Sequence, residues 1–268
     1  MDFTDQMQRE ITLENVPERI ISLVPSQTEL LADLGLQKEV VGVTKFCVYP
    51  MDWFRTKESV GGPKSVSTDK IRSLKPDLII GNKEENEKKQ IEELMKTENV
   101  WMSDIKTLDD ACEMIRRVGE LTNRKERAEE IAKEIEKRFT AFRTEIKHTP
   151  KKRVAYFIWR NPWMVAGGET FINHMLGICG FENVFAKTKG RYPEVTLKDV
   201  LDECPEIVFL SSEPYPFRDK HIAEVTAACP DSKIMLADGE YFSWYGSRLL
   251  KSPGYFSTLL SSITCDSL

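Results

Sequence analysis

The sequence has few of the features that mark a nucleic-acid-binding, membrane-spanning or metal-binding protein. Its 268 residues contain 38 lysines and arginines against 43 aspartates and glutamates, a formal net charge of −5, so it lacks the basic excess of a nucleic-acid surface. No apolar run approaches the roughly 18–20 residues of a membrane span. Six cysteines without a CxxC pair and three dispersed histidines form no zinc or iron motif. We therefore expect no nucleic-acid partner, no intrinsic metal or cofactor, and free, buried cysteines.

Signatures of catalysis and secretion are missing as well. The chain contains no GxSxG, HExxH, P-loop or GxGxxG motif, and the glycine turns GGPKS (61–65) and AGGET (166–170) lack the full phosphate-binding spacing. The first ten residues, MDFTDQMQRE, carry acids and no apolar segment, unlike a secretory signal peptide. As written, the sequence therefore predicts either a cytoplasmic protein or one whose native signal has been removed, and because no motif points to catalysis we expect that it is not an enzyme.

Short apolar runs alternate with helical patterns along the whole chain. The predicted strands are RIISLV (19–24), VVGVTKF (40–46), DLIIG (77–81), VWMSDI (100–105), RVAYFIW (153–159), EIVFLSS (206–212) and KIMLADG (233–239). The first predicted helix begins at Ser26, whose pairing with Glu29 indicates a capping box, and ends near Gly35. Further helices are predicted over 68–75, where Pro76 ends the helix, and over 84–95 and 108–121. This alternation is typical of an α/β fold with mostly parallel sheets.

Two segment pairs recur in the same order in the two halves of the chain. DKIRSLKPDLII (69–80) aligns with KDVLDECPEIVF (198–209), and TELLADLGLQKEVVG (28–42) resembles ETFINHMLGICGFENVFA (169–186). We therefore predict two similar Rossmann-like lobes, residues 1–122 and 149–268.

A single long helix is predicted over residues 123–148, between the lobes. Its apolar positions follow one helical stripe: Ala128, Ile131, Ile135, Phe139, Phe142 and Ile146. A coiled-coil dimerisation arm is the alternative, but three and a half heptads are short for one, so we expect a monomer.

Aromatic and basic side chains collect in loops that follow the predicted strands. Because ligands of open α/β sheets bind beyond the carboxyl ends of the strands, we expect the loops of both lobes to line a common cleft. A single ring in such a loop more often packs beneath it, whereas the whole set favours a ligand site. The candidate ligand-binding residues are Phe46, Tyr49, Lys64, Trp159, Arg160, Trp163, Tyr192, Tyr215, Phe242, Trp244, Tyr245 and Arg248.

Several of these segments resemble the substrate-binding proteins of class III ABC transporters, most of all their vitamin B12-binding members. The resemblance is carried by ERIISLVPSQTELLADLGLQKEVVGVTKFCVYP (18–50), STDKIRSLKPDLIIG (67–81), NPWMVAGGETFINHMLGICGFENVFA (161–186), YPEVTLKDVLDECPEIVFLSS (192–212) and DGEYFSWYGSRLL (238–250). It implies two α/β lobes joined by a rigid helix, a small-molecule ligand, an ABC permease as partner and an extracytoplasmic location.

The resemblance also implies roles for particular residues. Phe46 stands where the vitamin binders have a cleft tyrosine, Tyr192 lies near a tryptophan of theirs, and Phe242 and Arg248 match a cleft phenylalanine and arginine. Asn82 stands where they have a first-lobe tryptophan, as do Pro63 and Lys64. The permease-docking acids map to Asp69 and to Lys198 beside Asp199, so the second position has lost its charge sign.

The favoured function is binding of a cobalamin-like corrinoid for ABC-type uptake. A ferric siderophore or haem is the alternative ligand, since three arginines (160, 191 and 248) offer partners for an anionic chelate. A cytoplasmic cofactor-handling enzyme or sensor on the same scaffold is the alternative from a different class.

Overall fold

Two parallel β-sheets organise the chain, one in each of two α/β units. The computed structural model describes residues 1–265, and the side chains through residue 263. Unit 1 consists of Met1–Ile105, Asp109–Glu136 and Tyr245–Leu250. Unit 2 consists of Lys106–Leu108, Lys137–Trp244 and the C-terminal segment from Lys251. The predicted α/β class with mostly parallel sheets is confirmed.

Unit 1 is built on a five-stranded parallel sheet with the strand order β5-β4-β3-β8-β9. All five residues of the inner strand β8, which lies between β3 and β9, are buried, as expected when helices cover both faces of a sheet. The strands of unit 1 are β1 Asp2–Thr4, β2 Glu10–Thr12, β3 Ile20–Ser22, β4 Val40–Val43, β5 Glu58–Ser59, β6 Gly61–Gly62, β7 Ser65–Val66, β8 Leu78–Asn82 and β9 Val100–Ser103. Its helices are α1 Pro25–Asp33, α2 Met51–Thr56, α3 Thr68–Ser73, α4 Lys88–Leu94, α5 Leu108–Leu121 and the 3₁₀ helix Ser247–Leu250.

Unit 2 repeats the plan of unit 1. Strands β12, β13 and β14 run parallel with β10 in the sheet, and the short β11 pairs with the end of β10 in the antiparallel sense. Its strands are β10 Lys152–Trp159, β11 Met164–Val165, β12 Phe181–Asn183, β13 Ile207–Ser211 and β14 Lys233–Ala237. Its helices are α7 Phe171–Ile178, α8 Leu197–Asp202, α9 Asp219–Ala228, α10 Glu240–Ser243 and α11 Ser252–Cys265.

The internal repeat extends to backbone conformation. Helix α3 leads into β8 as α8 leads into β13, and Lys75 and Cys204, at equivalent positions in the two connections, both have φ of 47°. Each of these residues directly precedes a proline, and a left-handed residue followed by proline ends a helix sharply. Gly35 and Gly180 end α1 and α7 with φ of 79° and 78°. The two units therefore share local stop signals as well as topology.

Helix α6, Lys125–Glu145, is the predicted long helix, and it belongs to unit 1 as far as Glu136 and to unit 2 from Lys137. Its 21 residues extend about 32 Å. The first five positions of the apolar stripe are buried, while Ile146 lies beyond the helix and is partly exposed. In unit 2, Phe139 and Phe142 pack against Phe256, with ring centroids 6.5 and 5.9 Å apart. The chain itself covers the stripe, so a coiled-coil seam on this face is not available.

The helix predicted over 84–95 is four residues shorter at its start. Asn82 Oδ1 accepts hydrogen bonds from the backbone N–H groups of Glu84 and Glu85, at 2.8 and 3.2 Å, and Asn86 Oδ1 accepts from that of Asn82. Side-chain to backbone bonds of this kind compete with helix formation and favour a turn. Residues 83–87 therefore form a loop after β8, and α4 begins at Lys88.

Within residues 1–265, no helix combines the length and the apolarity needed to cross a membrane. The same residues contain no group of three or more histidine, cysteine or acidic side chains suited to a metal ion. Cys47, Cys112, Cys179 and Cys229 are buried free thiols and Cys204 is an exposed one, while the side chain of Cys265 lies outside the described residues.

Candidate ligand-binding loops

The predicted ligand residues of unit 1 lie in the loops that follow β4 and β8 and in the segment 245–250. Phe46 and Tyr49, both after β4, expose 55% and 40% of their surfaces. Lys45 Nζ lies 5.2 Å from the centroid of the Phe46 ring, and the guanidinium carbon of Arg248 lies 4.8 Å from that of Tyr49. The structure thus brings together Tyr49 and Arg248, which are distant in sequence, and leaves two rings accessible to a ligand.

Arg248 is paired with a carboxylate that the sequence assigned to a different role. Its Nε donates to Glu29 Oε2 at 2.9 Å, and the two side chains are only 8% and 14% exposed. The predicted Ser26–Glu29 capping box is therefore wrong. Helix α1 has Val24 at its N-cap and Pro25 in its first turn, so it begins before Ser26 and makes no side-chain capping bond. The Glu29 carboxylate instead neutralises Arg248, which is nearly excluded from solvent.

Tyr245 and Lys64 hold the loop after β8. The Tyr245 hydroxyl donates to Glu85 Oε1 at 3.1 Å. Burial raises the pKa of Tyr245 well above its usual range, and the nearby Glu85 charge acts in the same direction. Lys64 Nζ donates to the backbone carbonyl of Glu84 at 2.5 Å and lies at the limit of hydrogen bonding, 3.5 Å, from that of Asn86. Both predicted residues therefore contact one acidic turn, residues 84–86.

In unit 2, three predicted residues belong to one connected group of rings, together with Phe217. Trp159, at the end of β10, is 39% exposed and meets Tyr215 edge to face, with the centroids 5.7 Å apart. Tyr215 contacts Phe217 at 4.7 Å, and Phe217 stacks on Trp163 at 6.0 Å with the planes 5° apart. Trp163 and Tyr215 also pack against the hydrophobic core of the unit. Trp159 is thus the accessible end of a series of ring contacts that reaches the hydrophobic core.

Arg160 completes this group and, like Arg248, is paired with a glutamate. Its Nε and Nη2 donate to the two carboxylate oxygens of Glu224 on α9, each at 3.0 Å. These hydrogen bonds raise the pKa of Arg160. Its guanidinium carbon lies 5.5 Å from the centroid of the Trp163 ring. Neither Glu224 nor Phe217 was a predicted site residue. For Glu224, no motif in the sequence marks a contact between α9 and the end of β10.

The aromatic stretch 239–250 is largely interior. Phe242 has no exposed surface, and its ring lies 5.2 Å from Tyr156 and 4.8 Å from Phe256. Trp244 is 6% exposed, and its Nε1 donates to Glu213 Oε1 at 2.8 Å. The expectation that these rings face a ligand is corrected for Phe242, which is a core residue of unit 2. Trp244 belongs to the same unit and Tyr245 to unit 1, so the stretch divides between the two.

Three further predicted residues lie apart from these groups. Tyr192, in the segment after β12, is partly buried. Asp69, in the first turn of α3, has a side chain that is 98% exposed. Asp199 closes a capping box at the start of α8, where its carboxylate accepts from the N–H and the hydroxyl of Thr196, at 2.7 Å each. These bonds lower the pKa of Asp199.

Comparison with known proteins places this architecture in a family. Over 203 residues the chain is 29% identical to the vitamin B12-binding protein of Vibrio parahaemolyticus, covering 75% of this chain and 74% of the relative. The crystal structure of the periplasmic vitamin B12-binding protein BtuF of Vibrio cholerae superposes with a TM-score of 0.80 at 24% identity, covering 92% and 98% of the two chains. That of the molybdate-binding protein MolA of Haemophilus influenzae superposes with a TM-score of 0.82 at 16% identity, covering 100% and 93%. The two superpositions show the fold, two α/β lobes joined by a long helix. The periplasmic binding protein family matches residues 20–228, and the chain belongs to that family.

Proposed function

We propose that this protein binds a cobalamin-like corrinoid and delivers it to an ABC permease from the outer side of the cytoplasmic membrane. The loops that hold the candidate ligand-binding residues are called the ligand loops below. The observation that carries the proposal is the combination of accessible rings and neutralised arginines in these loops. Phe46, Tyr49 and Trp159 are 55%, 40% and 39% exposed, while Arg160 and Arg248 are each paired with a glutamate. The vitamin B12-binding relatives, which match three quarters of the chain, support the same ligand class.

A corrinoid suits these loops because of its shape and its neutral edge. Its macrocycle is flat and largely apolar on both faces, so stacking on exposed rings stabilises its binding. Its rim carries carboxamides, which donate and accept hydrogen bonds without bringing a charge. The acidic turn 84–86 offers acceptors in unit 1, and Lys64 and Tyr245 contact it.

Haem or a ferric siderophore suits the loops less well. Such ligands carry carboxylates or other anionic groups and need cationic partners whose charge is not already cancelled. The Arg160–Glu224 and Arg248–Glu29 pairs remove that advantage at two of the three candidate arginines. The MolA superposition shows that this fold by itself does not restrict the ligand.

Asp69 and Asp199 are proposed as docking residues for the permease. Both lie in the first turn of a short helix, α3 in unit 1 and α8 in unit 2, and these helices are equivalent in the internal repeat. Both side chains are exposed. Asp199 lies one position beyond Lys198, the residue equivalent to Asp69, so the two acids would offer one contact from each unit to a basic partner surface.

Titration with cyanocobalamin tests the ligand assignment. We expect saturable quenching of tryptophan fluorescence with one site per chain and a dissociation constant below about 1 μM, a binding free energy of about −8 kcal/mol. Tyr49→Ala should weaken binding, whereas Leu201→Ala on α8, a residue of equal exposure (41% against 40%), should not. Saturable binding of hemin or a ferric chelate, with none of cyanocobalamin, would overturn the assignment.

A further inference from the structure

Each unit holds one arginine of its ligand loops between an aromatic ring and a glutamate. In unit 1, Arg248 lies over the Tyr49 ring and donates to Glu29. In unit 2, Arg160 lies over the Trp163 ring and donates twice to Glu224. The glutamates lie on α1 and α9, which are not equivalent helices of the repeat. The same arrangement has therefore been assembled twice from different elements.

The pairing changes what an approaching ligand experiences. An unpaired guanidinium attracts carboxylates strongly and offers them two parallel N–H donors. Here the Nε of Arg248, and the Nε and Nη2 of Arg160, already donate to carboxylate oxygens at 2.9–3.0 Å. An anion that reaches either arginine also meets a full negative charge a few ångströms away, and the repulsion is of the same order as the attraction. A neutral carboxamide experiences neither effect.

We propose that Glu29 and Glu224 are specificity-determining residues, which favour a ligand with carboxamide side groups and exclude one with carboxylates at the same positions. The inference rests on the proposed function only in taking these loops as the ligand site. It does not require that the ligand be a corrinoid. Glu29 carries the larger share of the effect, because its pair is 14% and 8% exposed and is screened little by water or salt. The Arg160–Glu224 pair is 27% and 37% exposed, so its contribution is smaller.

Two probes and two matched controls isolate the effect of charge. Dicyanocobinamide and dicyanocobyrinic acid share one corrin ring, but the first carries carboxamides where the second carries carboxylates. Glu29→Gln and Glu224→Gln remove a charge yet keep an oxygen that accepts from the arginine. The controls Glu39→Gln and Glu206→Gln remove a charge in the same way from the pairs with Arg124 (2.9 Å) and Lys152 (2.7 Å). Glu39 and Glu206 directly precede β4 and β13, so both lie at the amino ends of the strands, opposite the ligand loops.

The wild-type protein should bind the amide probe more tightly than the acid probe. Glu29→Gln should shift the ratio of the two dissociation constants toward the acid by about tenfold, equivalent to about 1.4 kcal/mol. Glu224→Gln should shift it by about threefold, and that shift should shrink as salt is added. The two control variants should leave the ratio within about twofold of the wild-type value.

Hemin, a flat macrocycle with two propionates, tests the two glutamates independently of the corrinoid assignment. If the wild-type protein binds neither corrinoid, the proposed function fails. The inference about the two glutamates still stands if Glu29→Gln and Glu224→Gln gain hemin affinity and the controls do not. Thermal melting checks that each variant is folded; should Glu29→Gln unfold, the more exposed Glu224→Gln decides. Unchanged preference in the folded ligand-loop variants, or an equal change in the controls, would overturn the inference.

Discussion

Replacing Trp159 and Phe242 separately by alanine tests the division of the unit 2 rings into ligand-facing and core residues. Trp159 is 39% exposed, and its described ring contact is the edge-to-face pair with Tyr215. Phe242 is fully buried, and its ring contacts the aromatic side chains of four residues of unit 2: Tyr156, Phe209, Tyr255 and Phe256. Each change removes one aromatic side chain. We expect Trp159→Ala to reduce mainly the ligand affinity and Phe242→Ala to reduce mainly the stability.

The structure sets the magnitudes. By analogy with base–aromatic stacking, a ring on a flat ligand contributes about 1–3 kcal/mol, so Trp159→Ala should weaken cyanocobalamin binding about 5- to 150-fold. Losing the Tyr215 contact costs about 0.5–1.5 kcal/mol of stability, a Tm decrease of about 1–6 °C. Phe242→Ala leaves a cavity in the core and should cost about 3–5 kcal/mol, a decrease of about 6–20 °C, with affinity within about twofold of wild type.

Calorimetric titration and scanning calorimetry on the same preparations measure both quantities. The reasoning is refuted if Trp159→Ala binds cyanocobalamin as tightly as the wild-type protein, or if folded Phe242→Ala loses as much affinity as Trp159→Ala does. Leu201→Ala on α8 serves as a control, since Leu201 has a similar exposure (41%) and lies outside the candidate ligand-binding residues.

Three further predictions concern titration, thiols and docking. Burial raises the pKa of Tyr156 well above its usual range and that of Tyr255 to about 12. The folded state therefore keeps both phenols neutral, and the contribution of these two groups to the free energy of unfolding should be constant below pH 10 and decrease as the pH rises from about 10 through 12; denaturation midpoints measured across this range for the wild-type protein and Tyr255→Phe, with phenolate absorbance, check this. Cys204 is the exposed thiol of the described residues, so Cys204→Ser should remove one equivalent of the fast phase with a thiol reagent, and an unchanged fast phase would contradict this placement. Asp199→Ala should lose about 0.5–2 kcal/mol of stability with its capping box, whereas Asp69→Ala should not. If both acids dock the permease, both variants should also reduce ligand-stimulated ATP hydrolysis by the reconstituted transporter.

Much of the fold was predictable because its determinants are local. Parallel strands covered by helices are short apolar runs, and strands such as DLIIG and EIVFLSS were found within one or two residues of their bounds. Helix α5 has the predicted bounds, and the stripe that predicts α6 repeats every three or four residues. The ends of α1 and α3 are each marked by a single residue type, the glycine at position 35 and the proline at position 76. The predicted start of α4 was wrong because the side-chain amides of Asn82 and Asn86 favour a turn, which hydrophobic periodicity does not detect.

The ligand loops were predictable only as a collection of residue types. The sequence by itself determined the α/β alternation, the repeated lobes, the long helix and the presence of rings and arginines after the strands, since each depends on neighbours within a few residues. Only the tertiary structure decided which rings are accessible, leaving Trp159 at the surface and Phe242 in the core. It also decided that Arg248 meets Glu29 and that Arg160 meets Glu224, partners 219 and 64 residues apart in the chain. Ion pairs over such separations leave no periodic or propensity signal, because they arise from how strands and helices pack.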